Sequence, residues 1–506
     1  MWPKLNKLPF FVVLMGIGSL FMLIPAVHAV GLSDYRTART FFYGAILGLF
    51  LTLLIGLATA NAKPRSVPRN QLTALLGAFS LLPLLLAIPF YEAAGHTTLL
   101  DAWFEMVSCL TTTGATLYDN VGRLPPSLHL WRALVGWMGG LLIWVTAVAI
   151  LAPMNLGGFE VRALRSAGDR GAQFPHLDRN TDPAARLWRI SLRLAPLYVG
   201  LTAILWLGLT ILGDTAFVAL CHAMAVLSTS GISPVHGLYQ AGSGIAGEVL
   251  IAGFLLLALS RLGFSMGLER IRFATVLADP ELRLGLSITC AVAVILFLRH
   301  FIGLPAADFV TSGQAALKAL WGAFFTVLSF LTTLGFESAQ WLDTKDWMGL
   351  QTPGLVLLGL SLIGGGVATT AGGVKLLRIY ALSRHGLDEL ERIVHPSSVG
   401  GSGQAARQIR SQGAYIAWVF FMLFAISVAV VMLALSLTGL QFEPAMVLTI
   451  AALTTTGPLA EVAGENPVAF SGIPDIAKAI LAATMVLGRL ETLALIALFN
   501  PAFWRS

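Results

Sequence analysis

Leu110-Thr111-Thr112-Thr113-Gly114 has three further copies along the chain. They are Leu227-Ser228-Thr229-Ser230-Gly231, Leu331-Thr332-Thr333-Leu334-Gly335 and Leu453-Thr454-Thr455-Thr456-Gly457. Every copy has Leu four residues before its glycine and Thr two before it. Every copy also has Ala twelve before it, at Ala102, Ala219, Ala323 and Ala445. The glycines are similarly spaced (231 − 114 = 117, 335 − 231 = 104, 457 − 335 = 122). A period this long marks a duplicated membrane unit rather than a small solenoid repeat.

Working outward, each copy ends a semi-apolar segment of about 15 residues. That is too short to cross a bilayer, which takes about 20 apolar residues. Longer apolar stretches flank these segments, at 9–30, 40–61, 70–90, 131–152, 188–213, 245–268, 284–304, 350–382, 412–438 and 474–498. Each unit therefore reads span, half-helix, loop, span. Irregular backbone at membrane depth is tolerated only where it is buried in protein or lines a watery cavity. The expected fold is an all-α polytopic membrane protein. It has four pseudo-fourfold span–pore helix–filter loop–span repeats around one central pore, plus two extra N-terminal spans. The divisions are 1–66 for those two helices, then pore repeats at 67–160, 161–275, 276–395 (with a broken gating helix) and 396–506.

Composition agrees. Of 506 residues, 56% are hydrophobic and 11% charged, with mean hydropathy +0.79. Soluble domains carry about 25% charged residues. The net charge of +6 is the Lys/Arg excess expected of cytoplasmic loops, so no nucleic-acid partner is implied. Lys4, Lys7, Lys63, Arg65, Arg69, the Arg162–Arg189 cluster, Arg261–Arg283, Arg384–Arg410 and Arg505 all fall on one side. Arg36, Arg39 and Arg123 break this pattern without reversing it. The Thr-Gly loops face the other side, with Glu92, Asp101, Asp119, Asp214, Glu337, Asp343, Glu443 and Glu461. Both termini are expected in the cytoplasm. The apolar run 8–30 exceeds a secretory signal and reads as a retained helix. Cys109, Cys221 and Cys290 suggest neither disulfides nor zinc. The stretch 396–403 lacks a phosphate-loop lysine and reads as a linker. No HExxH, GxSxG or paired-Asp motif is present, so the chain does not read as an enzyme.

A cation leaving water needs oxygens, and rings of backbone carbonyls supply them in selective pores. Glycine lets the backbone turn its carbonyls inward, and the preceding Thr or Ser adds hydroxyls. A half-helix ending at the loop directs its negative dipole end toward a cation. The candidate filter is Thr112, Thr113, Gly114, Thr229, Ser230, Gly231, Thr333, Leu334, Gly335, Thr455, Thr456 and Gly457. TTG strings also occur as ordinary turns and caps. Four copies in matched register point to the pore instead. No loop carries Lys or Arg, which disfavours an anion filter. Gly364-Gly365-Gly366 through Gly372-Gly373 puts five glycines within ten residues of an apolar stretch. Each costs a helix about 1 kcal/mol relative to Ala, so a broken helix is expected. Close helix packing of small residues is the alternative. Arg489 is a charge inside the last span and so a functional candidate. Its alternatives are snorkelling to the inner surface and structural pairing. Glu491 is too near to share its helix face, so its partner lies elsewhere or is water. Lys375 reads either as pore-facing or, with Arg378, as an inner-surface anchor. His222 reads as a packed, hydrogen-bonded residue.

The chain resembles TrkH-type subunits of the Trk/Ktr/HKT superfamily of potassium transporters over nearly its whole length. The carrying motifs are Thr112-Thr113-Gly114-Ala115-Thr116, Trp131-Arg132 with Gly136-Trp137-Met138-Gly139-Gly140, and His222-Ala223 before Ser228-Thr229-Ser230-Gly231. Further on come Gly364–Gly366 with Gly372-Gly373-Val374-Lys375, Gly457-Pro458, and Gly488-Arg489-Leu490-Glu491 before Phe503-Trp504-Arg505. The resemblance implies uptake of potassium as the transported ion, with no prosthetic group, across a bacterial cytoplasmic membrane. It also implies a homodimer and a separate cytosolic nucleotide-binding regulatory ring, besides membrane lipid. The Gly364–Gly373 stretch would be the intramembrane gating loop, with Arg489 in the pore below the filter. Leu334 departs from the hydroxyl residues at Thr113, Ser230 and Thr456, which puts the preference for potassium over sodium in question at that loop. A sodium- or proton-coupled potassium symporter, or a secondary transporter of another small solute, is the alternative. The common orientation of all four units disfavours inverted repeats.

Overall fold

The computed structural model describes residues 9–59, 67–154, 183–260, 279–303, 313–349, 353–395, 404–464 and 466–491. Among these the chain is helical without strands, and eight helices are long and apolar enough to cross a membrane. Two leading helices, α1 (Phe10–Gly31) and α2 (Tyr35–Thr59), pack together as an antiparallel pair. Small residues bring them close: a Cβ on Gly48 would stand 2.3 Å from Ser19 Oγ. The opposite face of α2 exposes Tyr43, Phe50, Leu53 and Leu57, as a lipid-facing helix must.

The first unit comprises α3 (Gln71–Ala94), half-helix α4 (Leu99–Leu110) and the largely buried α5 (Pro126–Leu151). The second has α6 (Pro183–Ile211), half-helix α7 (Ala216–Ser228) and α8 (Gly244–Leu259). The third has α9 (Pro280–Gly303), half-helix α10 (Gly313–Leu331), α11 (Gly354–Ile363) and α12 (Leu376–Val394). The fourth has α13 (Gln404–Ser436), half-helix α14 (Phe442–Leu453) and α15 (Asp475–Leu490).

Two buried tryptophans knit the spans through their N–H groups. Trp131 Nε1 donates to Leu86 O at 3.3 Å, and Trp137 Nε1 to Thr202 Oγ1 at 2.9 Å. The glycines that follow Trp137 have a packing role. A Cβ on Gly139 would lie 2.0 Å from Leu110 O, and one on Gly140 2.8 Å from Ser228 Cα. Thus α5 lies against the ends of the first two half-helices. Gly488 repeats this in the fourth unit, where a Cβ would lie 2.3 Å from Leu453 O.

One feature differs from the sequence expectation. The third half-helix has 19 residues rather than about 15. Its first two turns, with Gln314 and Lys318, are exposed, and burial sets in at Ala319. An exposed polar extension therefore precedes an embedded half-helix like the others. The stretch 350–382 is split between α11 and α12 by non-helical backbone, as its glycines require. The sixth and tenth spans are described only to Leu259 and Leu490 as helix. The linker 396–403, Arg162–Arg179, Arg261–Arg272 and Phe503–Arg505 lie outside the described residues.

Candidate functional site

All four half-helices end in the same way. The N–H of the residue before each glycine bonds back to a carbonyl five residues earlier: Thr113 to Ser108 O (2.8 Å), Ser230 to Ala225 O (2.9 Å), Leu334 to Ser329 O (2.9 Å) and Thr456 to Ala451 O (2.8 Å). Between donor and helix sits a threonine with left-handed backbone: φ is 54° at Thr112, 49° at Thr229, 58° at Thr333 and 54° at Thr455. This is a helix-ending motif in which glycine is the usual residue. A β-branched residue held there costs on the order of 1–3 kcal/mol, and such strain concentrates at functional sites.

The four loops meet in chain order and close into a ring. A Cβ on Gly114 would stand 1.9 Å from Ser230 O, one on Gly231 2.4 Å from Leu334 O, and one on Gly335 3.0 Å from Pro458. The last contact returns to the first loop, where Gly457 N donates to Thr113 O at 2.6 Å. Gly114, Gly231 and Gly335 have φ of 73°, 66° and 80°, a conformation Gly457 does not share. Pro458 follows Gly457, and a residue before proline is pushed toward extended backbone.

Behind the ring, the residue nine before the glycine reaches the segment that leaves its own loop in three units. Glu105 accepts from Leu117 N (2.6 Å) and Thr116 Oγ1 (2.8 Å), and pairs with Arg132 at 3.1 Å. His222 Nε2 lies 2.9 Å from Ser233 Oγ, with Asp214 3.9 Å from its Nδ1. Thr326 Oγ1 accepts from Ser338 N at 3.2 Å. The fourth unit has Leu448 at this position.

The Gly364–Gly373 loop lies directly against the base of this ring. Gly372 N donates to Thr333 Oγ1 at 2.8 Å, and Thr370 Oγ1 to Leu227 O at 3.2 Å. A Cβ on Gly372 would stand 2.0 Å from Thr454 O. The loop thus touches the ends of the second, third and fourth half-helices. Gly366 N donates to Ala258 O, and Lys375 N to Ile363 O, both at 2.9 Å. Arg489 is 5% exposed and donates from one terminal nitrogen to Thr370 O at 2.7 Å. Among the described residues, its Nε and second terminal nitrogen have no hydrogen-bond partner. Lys375 Nζ donates to Ala371 O.

Relatives of known name share this architecture. Residues 269–506 match the TrkH family profile, described as a cation transport protein. The chain is 31% identical over 492 residues to the Trk system potassium uptake protein TrkH of Escherichia coli (strain K12), covering 96% of each. The chain belongs to the TrkH family. A further relative is the Trk system potassium uptake protein TrkI of Halomonas elongata, 29% identical over 437 residues, 85% of this chain and 82% of that one. The crystal structure of the potassium transporter TrkH from Vibrio parahaemolyticus superposes with a TM-score of 0.81 at 26% identity, covering 100% of both chains.

Within this TrkH-family fold, the four loops chosen from the repeat come together, and the glycine-rich stretch and Arg489 lie beneath them. One expectation changes. Arg378, for which inner-surface anchoring was an option beside Lys375, is fully buried and is the partner of Glu491 at 2.6 Å. Its guanidinium also stacks over Phe420 at 3.6 Å. Lys375 is buried as well, so neither is an exposed anchor. Counting basic residues by side reads their number and not their depth. Glu105 and Glu248 escaped the sequence reading entirely. Aligning the repeats on their glycines was the available signal for Glu105, since Glu105, His222 and Thr326 then share one column.

Proposed function

We propose that this chain mediates potassium uptake across the bacterial cytoplasmic membrane, with both termini inside. Ions pass through a ring of backbone carbonyls from Thr112–Gly114, Thr229–Gly231, Thr333–Gly335 and Thr455–Gly457. The single observation that carries this reading is the closed ring of four loops with one shared, strained geometry. Four helix ends, each with its negative dipole end at the ring, favour a cation there. The loop at 364–373 acts as the gate, and Arg489 holds a positive charge below the filter. The reading further includes a homodimer and a cytosolic nucleotide-binding ring that governs the gate, as the resemblance to the family implies.

The test is growth of a potassium-uptake-deficient bacterium at low potassium. Expression of this chain should restore growth. A well-expressed chain that restores none would sink the proposal. The gate has its own test in the double variant Gly365→Ala, Gly366→Ala. A Cβ on Gly365 would stand 2.5 Å from Ala371 Cβ, and one on Gly366 2.5 Å from Leu259 O. The loop must then shift, and flux or its regulation should change severalfold by the logic of bistable packed elements. Unaltered transport kinetics would remove the gate from this loop.

A further inference from the structure

Three of the four loops contain a side-chain strut. The hydroxyls of Thr111 and Thr113 lie 2.8 Å apart, those of Ser228 and Ser230 2.9 Å, and those of Thr454 and Thr456 3.2 Å. Each strut ties the residue before the glycine to the end of its half-helix. The third loop has none, because Leu334 carries no hydroxyl. Among the described residues, the Thr332 hydroxyl there bonds only back along its helix, to Leu328 O at 2.8 Å and Ser329 O at 3.1 Å.

A different device holds the third loop. Glu248 projects from α8, in the preceding unit, and is 2% exposed. Its carboxylate accepts from Trp321 Nε1 at 2.8 Å, Ser338 Oγ at 2.8 Å and Ala339 N at 2.6 Å. Trp321 is on the third half-helix, and Ser338 and Ala339 follow Gly335 by three and four residues. One buried carboxylate therefore clamps the entry and the exit of the loop that lacks a strut. Hydrogen bonds to an ionised acceptor are short and strong, and stronger still away from water. Glu105 acts within its own unit, whereas Glu248 reaches across a unit boundary.

We propose that Glu248 is a positioning residue for the third filter loop, replacing the missing hydroxyl strut, and that discrimination of potassium from sodium depends on it. The inference rests on the conduction reading above. Two alkali cations of equal charge are told apart by how many oxygens are presented and how firmly they are held. A loop free to move can close on the smaller ion.

The test compares potassium and sodium fluxes of the full chain in a host lacking its own uptake systems, with membrane abundance measured alongside. Glu248→Gln keeps the shape but replaces one acceptor oxygen with an N–H donor facing existing donors. It should lower the potassium-to-sodium flux ratio by about tenfold, less than the roughly 10²-fold that a 1 Å misplacement can cost in a positioned site. Leu334→Thr in the same chain supplies the strut found in the other loops and should recover most of the ratio. An unchanged ratio in Glu248→Gln overturns the proposal, as does a fall that Leu334→Thr leaves in place. Should Glu248→Gln fail to accumulate, Ser338→Ala and Trp321→Phe each remove one donor, and unchanged ratios in both overturn it equally. A wild-type chain that carries no potassium sinks the conduction reading itself. A selective wild type with an unaffected Glu248→Gln sinks only the clamp.

Discussion

Gly114→Ser is expected to abolish growth rescue at low potassium while the protein still reaches the membrane. Two independent effects act at this residue. Its φ of 73° is left-handed backbone, which costs a residue with a Cβ about 1–2 kcal/mol. The Cβ itself would stand 1.9 Å from Ser230 O, well inside any permitted contact. That atom belongs to the backbone of the neighbouring loop, so no rotamer change relieves the overlap. The first and second loops must separate, and the ring opens. Serine introduces a hydroxyl rather than removing polarity, so a loss of function reports geometry. Growth indistinguishable from wild type would take the conduction path away from this loop.

Arg489→Ala is expected to raise potassium flux. The side chain is buried under the ring and tethered to the Gly364–Gly373 loop through Thr370 O at 2.7 Å. A unit charge about 8 Å from a passing cation contributes roughly 2 kcal/mol of repulsion at an effective dielectric of about 20. That corresponds to a factor of about thirty in rate. Removal of the charge also frees the loop at Thr370. Arg489→Lys separates the two contributions, since lysine keeps the charge but not the planar fork of donors. The lysine variant should therefore retain most of the block. Flux through Arg489→Ala equal to that of wild type, with unaltered regulation, would place this charge outside the ion path.

The repeat in the sequence sufficed for the architecture because membrane helices announce themselves by length and polarity, and because four matched loops cannot be equivalent unless they share an axis. The broken eighth span was likewise legible, since five glycines in ten residues oppose a helix wherever they lie. Contacts between units were not legible. Glu248 and Ser338 are 90 residues apart, and Arg378 and Glu491 are 113 apart. Nothing in local spacing pairs them. Arg378 also shows how a charge near a span end is misread: the same residue type at the same depth suits an exposed anchor or a buried pair. Only packing, here Phe420 against the guanidinium, decides between them.

The closing contact of the ring has a consequence for biosynthesis. Gly457 N and Thr113 O belong to residues separated by 344 positions (457 − 113 = 344). The first loop is synthesised and inserted long before the partner that completes it exists. Until the fourth unit arrives, the strained Thr112 turn and its neighbours have an open side, and no nascent intermediate contains a closed ring. Joining such distant segments adds little entropic cost beyond that of shorter loops, since that cost grows only with the logarithm of length.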